Sequence, residues 1–492
     1  MSHSTDFWTP ESIRAASGGA WLARAVVATP LVGLGIDSRT LLPGQVFLAL
    51  RGARFDGHEF LSAAMAAGSP LLIVERPEAL AGLTVSPHLG VLQVEDSRRA
   101  LLRLAAAYRR TLESTKVVAV TGSNGKTTTT RLIAGLLAAR WRGTSSVKSY
   151  NNDIGVPLTV LAARPSDQFL VCEVGMNHAG EIARLAAVVQ PDVGVITSIG
   201  RAHIENLGSI EAIAREKASL FAALRPGGLA VAPADASALA EHLRGLPHVL
   251  TFGRAAHADL RLTSYLPQRS AGGFGCRFTV NDRSAYTLPL AGEHNALNAV
   301  AALAVARRLG LDDETISAAL ATATGPEMRF ERRVIGGMDV VNDAYNANPD
   351  SALTSLRAFA DSTPDASRRV LILGDMLEQG EAGPDAHREV AHAVLEMGAF
   401  ELVIGVGPLS AHACAVLAGA WPPARVVHVG DTDPAGPARA AALLRPGDAV
   451  LVKGSRGVRL ERFVEAIERR ARGAPEHGVE TPPAFAPTPF TR

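Results

Sequence analysis

Three α/β domains are what this sequence predicts: a small leading one, a central doubly wound parallel sheet, and a Rossmann-like third. Three observations carry the prediction. At 492 residues the chain is too long for a single core. Short apolar runs alternate with helical stretches along most of it, the pattern of parallel strands joined by helices. Near residue 117 a buried-strand run passes through a glycine-containing loop directly into a helix.

The elements follow in order. Thr9-Pro10-Glu11 reads as a helix start, with a hydroxyl cap and a proline in the first turn. Apolar runs at 45–50 and 71–75 read as strands with a helix near 60–67, and residues 1–113 form the first domain. The second, residues 114–325, opens on the strand Val117-Val118-Ala119-Val120, followed by a helix over 127–139. Strands at 169–173 and 193–198 flank a helical stretch over 180–189. Short strands with turns over 255–290 predict a β-rich insertion, and a helix over 296–309 closes the region. In residues 326–475 the runs at 340–343, 370–374, 402–407, 426–430 and 449–453 read as strands with helices between them, a Rossmann-like alternation. The last segment, 476–492, holds four prolines and little hydrophobic periodicity and reads as a disordered tail. No internal repeat is found.

Composition narrows the function. Lys plus Arg is 49 and Asp plus Glu 48, a balance that argues against bulk electrostatic binding of nucleic acid or anionic membrane. Three cysteines, Cys172, Cys276 and Cys414, lie far apart without a CxxC pair, which suits a reducing compartment. The first eight residues lack a basic stretch followed by an apolar run, so no signal peptide is read. No apolar segment reaches the roughly 18 residues of a membrane-spanning helix. The expectation is a cytoplasmic, soluble protein acting on small molecules.

The loop Thr121-Gly122-Ser123-Asn124-Gly125-Lys126-Thr127 joins a strand to a helix. Its glycines let backbone approach phosphate oxygens, and the N–H groups at a helix start favour negative charge. Lys126 can reach outer phosphates and Thr127 can place a hydroxyl on Mg²⁺. The strict GxxxxGK[ST] form fails, because Val120 stands at its first glycine. An ordinary glycine turn with a surface lysine is the alternative, and the strand before and threonine-rich helix after weigh against it.

Glu173 and His203 each follow a predicted strand, at the edge where open α/β sheets bind ligands. Lys217 lies on a helical stretch beginning near Ser209. Hard Mg²⁺ takes oxygen, so Glu173 and the Thr127 hydroxyl are natural ligands. From the residues alone a capping glutamate and a structural histidine are an equal reading, the spacing leaves both open, and for Lys217 an exposed helix lysine is the favoured one.

These segments, with Asn151-Asn152-Asp153-Ile154-Gly155-Val156-Pro157, Ala202-His203, Gly292-Glu293-His294-Asn295, Asp343-Ala344-Tyr345-Asn346-Ala347-Asn348-Pro349 and Lys453-Gly454-Ser455-Arg456, resemble the Mur ligase family along nearly the whole chain. Tyr345 to Pro349 and Leu373-Gly374-Asp375-Met376 are similar to the member that adds D-alanyl-D-alanine. The resemblance implies an ATP-dependent amide ligase joining that dipeptide to a UDP-linked muramoyl tripeptide in cell-wall synthesis, through an acyl phosphate. It implies a monomer whose leading domain holds the UDP-sugar, whose central P-loop domain binds ATP, and whose third domain closes over both.

The same resemblance implies the roles. Gly122, Ser123, Asn124, Gly125, Lys126, Thr127 and Thr128 hold ATP, with Asn295, Arg329 and Asp343. Lys126, His203 and Lys217 are catalytic. Thr127, Glu173, His203 and Lys217 hold two Mg²⁺, with Lys217 as the family's carbamylated lysine. Ser38, Arg39, Asp56, His58, Asn151, Asn152, Asn346, Asn348, Lys453 and Arg456 bind the substrates, although Asp56-Gly57-His58 also reads as a simple turn and Asn348-Pro349 as a rigid one. Two residues depart from the family pattern: Ala179 stands where proline is expected, and Arg201 where an acidic residue is expected. A folate polyglutamate ligase shares the chemistry, but the leading domain with Asp37-Ser38-Arg39 argues against it. A nucleotide-switched binding protein needs no Glu173, His203 and Lys217 together.

Overall fold

The computed structural model describes residues 7–24, 30–52, 55–270 and 273–473; the first six residues and the proposed tail lie outside them. Thr9 caps the helix Pro10–Ser17, its Oγ1 accepting from the Ser12 N–H at 3.2 Å, and Gly18 ends it at φ 74°. The first sheet holds β1 (Ala20–Ala23), β2 (Leu34–Gly35), β3 (Val46–Leu48), β4 (Leu71–Val74) and β5 (Gly90–Gln93) in the order β1-β5-β4-β3-β2. Only β1 runs antiparallel to its neighbour.

The helix Ser97–Thr111 joins this sheet to the next unit. Its Leu101, Leu104, Ala105 and Tyr108 belong to one hydrophobic cluster with Leu48 and Ile73 on one side and Val160, Leu185 and Val189 on the other. Polar bonds fasten the same seam. Tyr108 Oη donates to Ala163 O at 2.6 Å, and the buried Arg109 donates to Val189 O (2.7 Å) and Gln190 O (2.9 Å).

The central sheet contains β6 (Lys116–Thr121), β7 (Gly143–Ser145), β8 (Phe169–Glu173), β9 (Val193–Ile196), β10 (Leu229–Pro233), β11 (Val249–Gly253), β12 (Leu260–Ser270), β13 (Gly273–Val280) and β14 (Ser284–Leu288). Their order is β14-β13-β12-β11-β10-β9-β6-β8-β7. Strands β6 to β12 pair in parallel, and their near-continuous apolar runs fit burial on both faces. Here the expectation of a β-rich insertion is corrected. Strand β12 pairs in parallel with β11, and β13 and β14 add to it as an antiparallel meander, so the segment extends the sheet. The chain leaves β6 toward β7 on one side and later crosses to β9 on the other. The carboxyl ends of β6, β8 and β9 therefore flank a topological switch point, where such sheets bind ligands.

The third sheet, β15 (Glu331–Ile335), β16 (Met338–Asp343), β17 (Arg368–Gly374), β18 (Leu402–Val406), β19 (Val426–Val429) and β20 (Asp448–Lys453), runs β15-β16-β20-β17-β18-β19. All but β15 are parallel. Its two hydrophobic clusters draw only on residues within 328–467.

Candidate active site

The glycine loop leaves β6 with Gly122 at φ 150° and Gly125 at φ 82°. A Cβ on Gly122 would stand 1.9 Å from Thr197 Oγ1, and one on Gly125 would stand 2.3 Å from Asn298 Oδ1. Both positions thus need glycine for space as well as conformation. The segment after β9 holds the loop in shape: Asn124 N donates to Ser198 Oγ, and Ser123 Oγ donates to Gly200 O, each at 2.9 Å. Gly125 begins the helix Lys126–Ala138 with no side-chain cap, so the helix's first N–H groups are not satisfied by one. Lys126 Nζ folds back on Gly122 O (2.8 Å) and Ser123 O (3.3 Å). Desolvation there pushes its ammonium down to about 8, against an opposing pull from the Glu173 carboxylate.

Glu173 ends β8 and is fully buried. Its Oε1 accepts from Asn151 Nδ2 at 2.7 Å, while Oε2 has no hydrogen-bond partner among the described residues. Burial of a carboxylate oxygen with nothing to bond is costly unless a cation or ligand completes it. Thr127 Oγ1 lies 3.1 Å from Ser149 Oγ, which also accepts from Arg329 Nη2 at 3.1 Å. His203 adopts φ 59° before a short helix, and its Nδ1 lies 2.7 Å from Glu378 Oε2. Lys217, on the helix Ile210–Ala218, is 1% exposed and pairs with no described side chain. Burial, then repulsion from Lys126, hold its amine well below the ordinary lysine range. Among the described residues no three His, Cys, Asp or Glu gather as a metal cluster, so an ion here would lean on the Thr127 hydroxyl, on Glu173 and His203, and on a modified Lys217.

A cavity of about 630 Å³ runs over the loop between the second and third units. Ser123, Asn124, Gly125, Lys126, Thr128, Asn151, Asn152, His203, Asn295, Arg329, Asp343, Asn346, Asn348 and Lys453 line it. Gly122, Thr127, Glu173 and Lys217 are not among the lining residues. Several lining residues are already engaged. Asn152 Oδ1 caps the helix Gly155–Ala162 through Gly155 N (2.9 Å), and Asn295 Nδ2 donates to Ala291 O (2.8 Å). Asp343 Oδ1 accepts from Phe330 N (3.0 Å), its Oδ2 from Ser355 (2.5 Å) and the buried Lys453 (3.0 Å). Lys453 also donates to Asn346 O at 2.6 Å, so it braces the turn that carries the asparagines. Asn346 Oδ1 accepts from Ala347 N. Asn348 caps the helix Pro349–Ser362 in a capping box with Ser351, and its Nδ2 donates to Asn124 Oδ1 of the loop at 2.9 Å. Arg329 lies over the Tyr345 ring at 4.0 Å.

Five expected substrate residues lie off this cavity wall. Arg39 pairs with Asp37 at 2.9 and 2.7 Å and is 85% exposed; this pairing lowers the Asp37 carboxyl to about 2. Ser38 beside it is half-buried. His58 is buried: Nδ1 bonds Asp56 Oδ1 at 2.6 Å and Nε2 accepts from Glu75 N (2.9 Å) and Arg76 N (3.2 Å). Both ring nitrogens and Asp56 are spent inside the first unit, which is the turn reading of that motif. Arg456 lies against Met328 and Glu461.

Sequence reasoning missed Ser149, Glu378 and the partners of Arg201. The Arg201 guanidinium bonds Asp350 Oδ1 (2.9 and 2.6 Å) and both oxygens of Glu389 (2.7 and 2.9 Å), and its N–H donates to Asp350 Oδ2 at 2.7 Å. Only tertiary packing brings these together. A basic residue at a position expected to be acidic was the one available signal.

Comparison with known proteins places this geometry in context. Residues 30–109 match the Mur ligase family catalytic domain, 120–306 the Mur ligase middle domain, and 328–456 the Mur ligase glutamate ligase domain. The UDP-N-acetylmuramoyl-tripeptide–D-alanyl-D-alanine ligase of Bacillus subtilis (strain 168) is 33% identical over 441 residues, 89% of this chain and 93% of that protein. Two solved structures superpose along the chain. The UDP-N-acetylmuramoylalanyl-D-glutamyl-2,6-diaminopimelate–D-alanyl-D-alanyl ligase of Acinetobacter baumannii is 28% identical with a TM-score of 0.79, covering 95% of this chain and all of that one. The MurF ligase of Thermotoga maritima, in complex with ADP, is 28% identical with a TM-score of 0.75, covering 90% and 98%.

Proposed function

We infer the function from this premise: the chain belongs to the Mur ligase family. It is an ATP-dependent ligase that joins D-alanyl-D-alanine to UDP-N-acetylmuramoyl-tripeptide in peptidoglycan synthesis. The observation that carries the reading at the site is the convergence, on one cavity, of the phosphate loop with the Asp343–Asn348 turn of the third unit.

The chemistry must turn a carboxylate, a poor electrophile, into one an amine can attack. The terminal carboxylate oxygen of the tripeptide bonds to the γ-phosphorus as the bridging oxygen leaves with ADP. The amine of the dipeptide then attacks the acyl carbon, phosphate departs with its C–O bond, and the amine loses a proton. The uncapped N–H groups at the start of the helix Lys126–Ala138 hold phosphate oxygens, and Lys126 exchanges its loop carbonyls for the γ-phosphate. Arg329, reaching Ser149 from the third unit, adds positive charge on closure, which also keeps water from the acyl phosphate.

The residues present fit Mg²⁺. The partnerless Oε2 of Glu173 and the Thr127 hydroxyl are hard oxygen donors, and His203 offers Nε2 while Nδ1 faces Glu378. Lys217 is buried, without a side-chain partner among the described residues and held toward the neutral amine, the form that adds carbon dioxide, and its carbamate would give a second ion an anionic ligand. When bound, Mg²⁺ supplies charge neutralisation between phosphate and carboxylate. One chain supplies every unit of the site, so the reading is of a monomer, working in the cytoplasm where ATP and nucleotide-linked precursors are. Among the described residues no helix is long and apolar enough to cross a membrane.

The test is phosphate release with ATP, Mg²⁺, UDP-muramoyl tripeptide and D-alanyl-D-alanine, omitting each in turn. The expected outcome is release that needs all four and a pentapeptide of the right mass. Release without the UDP-sugar would overturn the reading.

A further inference from the structure

One stretch of the cavity wall has no part in phosphate chemistry. It includes Arg98, from the helix Ser97–Thr111, with Asp153 and Arg184, the last on the helix Glu181–Val189. Arg98 is already placed: Nη1 donates to Asp153 Oδ2 at 2.9 Å. Arg184 is exposed and makes no side-chain hydrogen bond or ion pair among the described residues. The carboxylates bonded around the start of its helix are committed elsewhere. Glu181 accepts from Asn177 N (2.6 Å) and His178 N (3.2 Å), and Glu216 accepts from Gly180 N (2.8 Å) and Ile182 N (2.9 Å). A cation with no internal partner, on the wall of a site for an acidic peptide, is available to a ligand carboxylate.

We propose that Arg184 reads a carboxylate on the peptide arm of the UDP-linked substrate, other than the one that reacts. The inference rests on the ligase reading above. Two sources carry that chemistry. A glutamyl residue linked through its side chain keeps its α-carboxylate, and a diaminopimelate third residue adds a carboxylate at its far end, where lysine has an ammonium alone. In the second case Arg184 selects diaminopimelate, because a lysine ammonium brought near the guanidinium meets like charge.

The experiment uses the full chain and two UDP-muramoyl tripeptides, one with diaminopimelate and one with lysine as third residue. Calorimetric Kd and steady-state KM are measured for wild type, Arg184→Ala and Arg184→Glu. Selection by the third residue predicts that Arg184→Ala weakens the diaminopimelate substrate about tenfold while leaving the lysine substrate and kcat within about twofold, as loss of one charge-assisted contact does. Arg184→Glu then tightens the lysine substrate, a gain that damaged folding does not produce. Equal weakening of both substrates by Arg184→Ala assigns the contact to the glutamyl carboxylate. Unchanged Kd for both overturns the proposal. If wild type binds the tripeptides yet makes no pentapeptide, the ligase reading fails, and the Kd comparison still decides the role of Arg184.

Discussion

Replacing Arg201 with methionine tests whether the third unit is latched to the second by charge. The wild-type guanidinium makes four side-chain bonds of 2.6–2.9 Å to Asp350 and Glu389 across the boundary. The pairing, Glu389 most strongly, raises the arginine above its ordinary range. Arg201 is 32% exposed and its partners 35% and 41%, so each pair is discounted toward the surface value of up to about 1 kcal/mol. The two pairs, bidentate to Glu389 and through Oδ1 alone to Asp350, then contribute up to about 2 kcal/mol to the closed arrangement, at most about 30-fold in the ratio of closed to open. Small-angle scattering of the unliganded protein should show a larger radius of gyration for Arg201→Met at low salt. At 1 M salt, where the screening length is about 3 Å, the wild type should approach the variant and the variant should barely respond. A double-mutant cycle with Glu389→Gln, read through KM for ATP, should give coupling of at least about 0.5 kcal/mol. Superimposable scattering at low salt together with zero coupling would refute the latch.

Three further outcomes are expected. Lys126 titrates near 8 rather than 10.5, so between those values the free protein lacks its proton and nucleotide phosphates restore it. ATP binding should therefore take up a proton near pH 9 and none near pH 6.5, read from binding enthalpies in buffers of different ionisation heat; the same depressed value makes stability rise with pH across that window. Gly122→Ala forces a Cβ onto Thr197 Oγ1 at φ 150° and should cost about 2 kcal/mol in thermal unfolding while abolishing ATP binding. His58→Ala leaves the Glu75 and Arg76 N–H groups without their acceptor and should lower stability by about 2 kcal/mol with little change in KM for the UDP-substrate. A large KM effect at unchanged stability would instead make His58 a substrate contact.

What the sequence disclosed depended on whether the signal was local. The strand Lys116–Thr121, the glycine loop and the helix Lys126–Ala138 are adjacent in sequence, so their chemistry could be read directly. Lys217 was harder. As a lone residue it reads as a surface lysine, yet Ile210, Ile213, Ala214 and Lys217 fall on one helical stripe, which would have placed it in the core. The meander over β12–β14 reads as an insertion because short strands joined by turns replace the strand–helix alternation; only the β11–β12 pairing, a tertiary fact, makes it part of the sheet. Asn346, Asn348 and Lys453 carry no local sign of the bonds they make: Lys453 braces Asn346 and Asn348 reaches the loop at Asn124, between residues 107 and 224 positions apart.

The seam along the helix Ser97–Thr111 has a consequence for substrate choice. Because the first two units share one continuous core through Leu101, Leu104 and Tyr108, while the third keeps its clusters to itself, the first two pack as one caliper-like body to which the third is joined without a shared core. If the nucleotide-sugar is anchored on the first unit, as proposed, its span to Lys126 is set before any ligand arrives. A peptide arm one residue too short cannot bring its carboxylate to the phosphate, and one too long overshoots. Order of addition in a stepwise synthesis would in this way be enforced by length, with no residue needed to recognise the missing link.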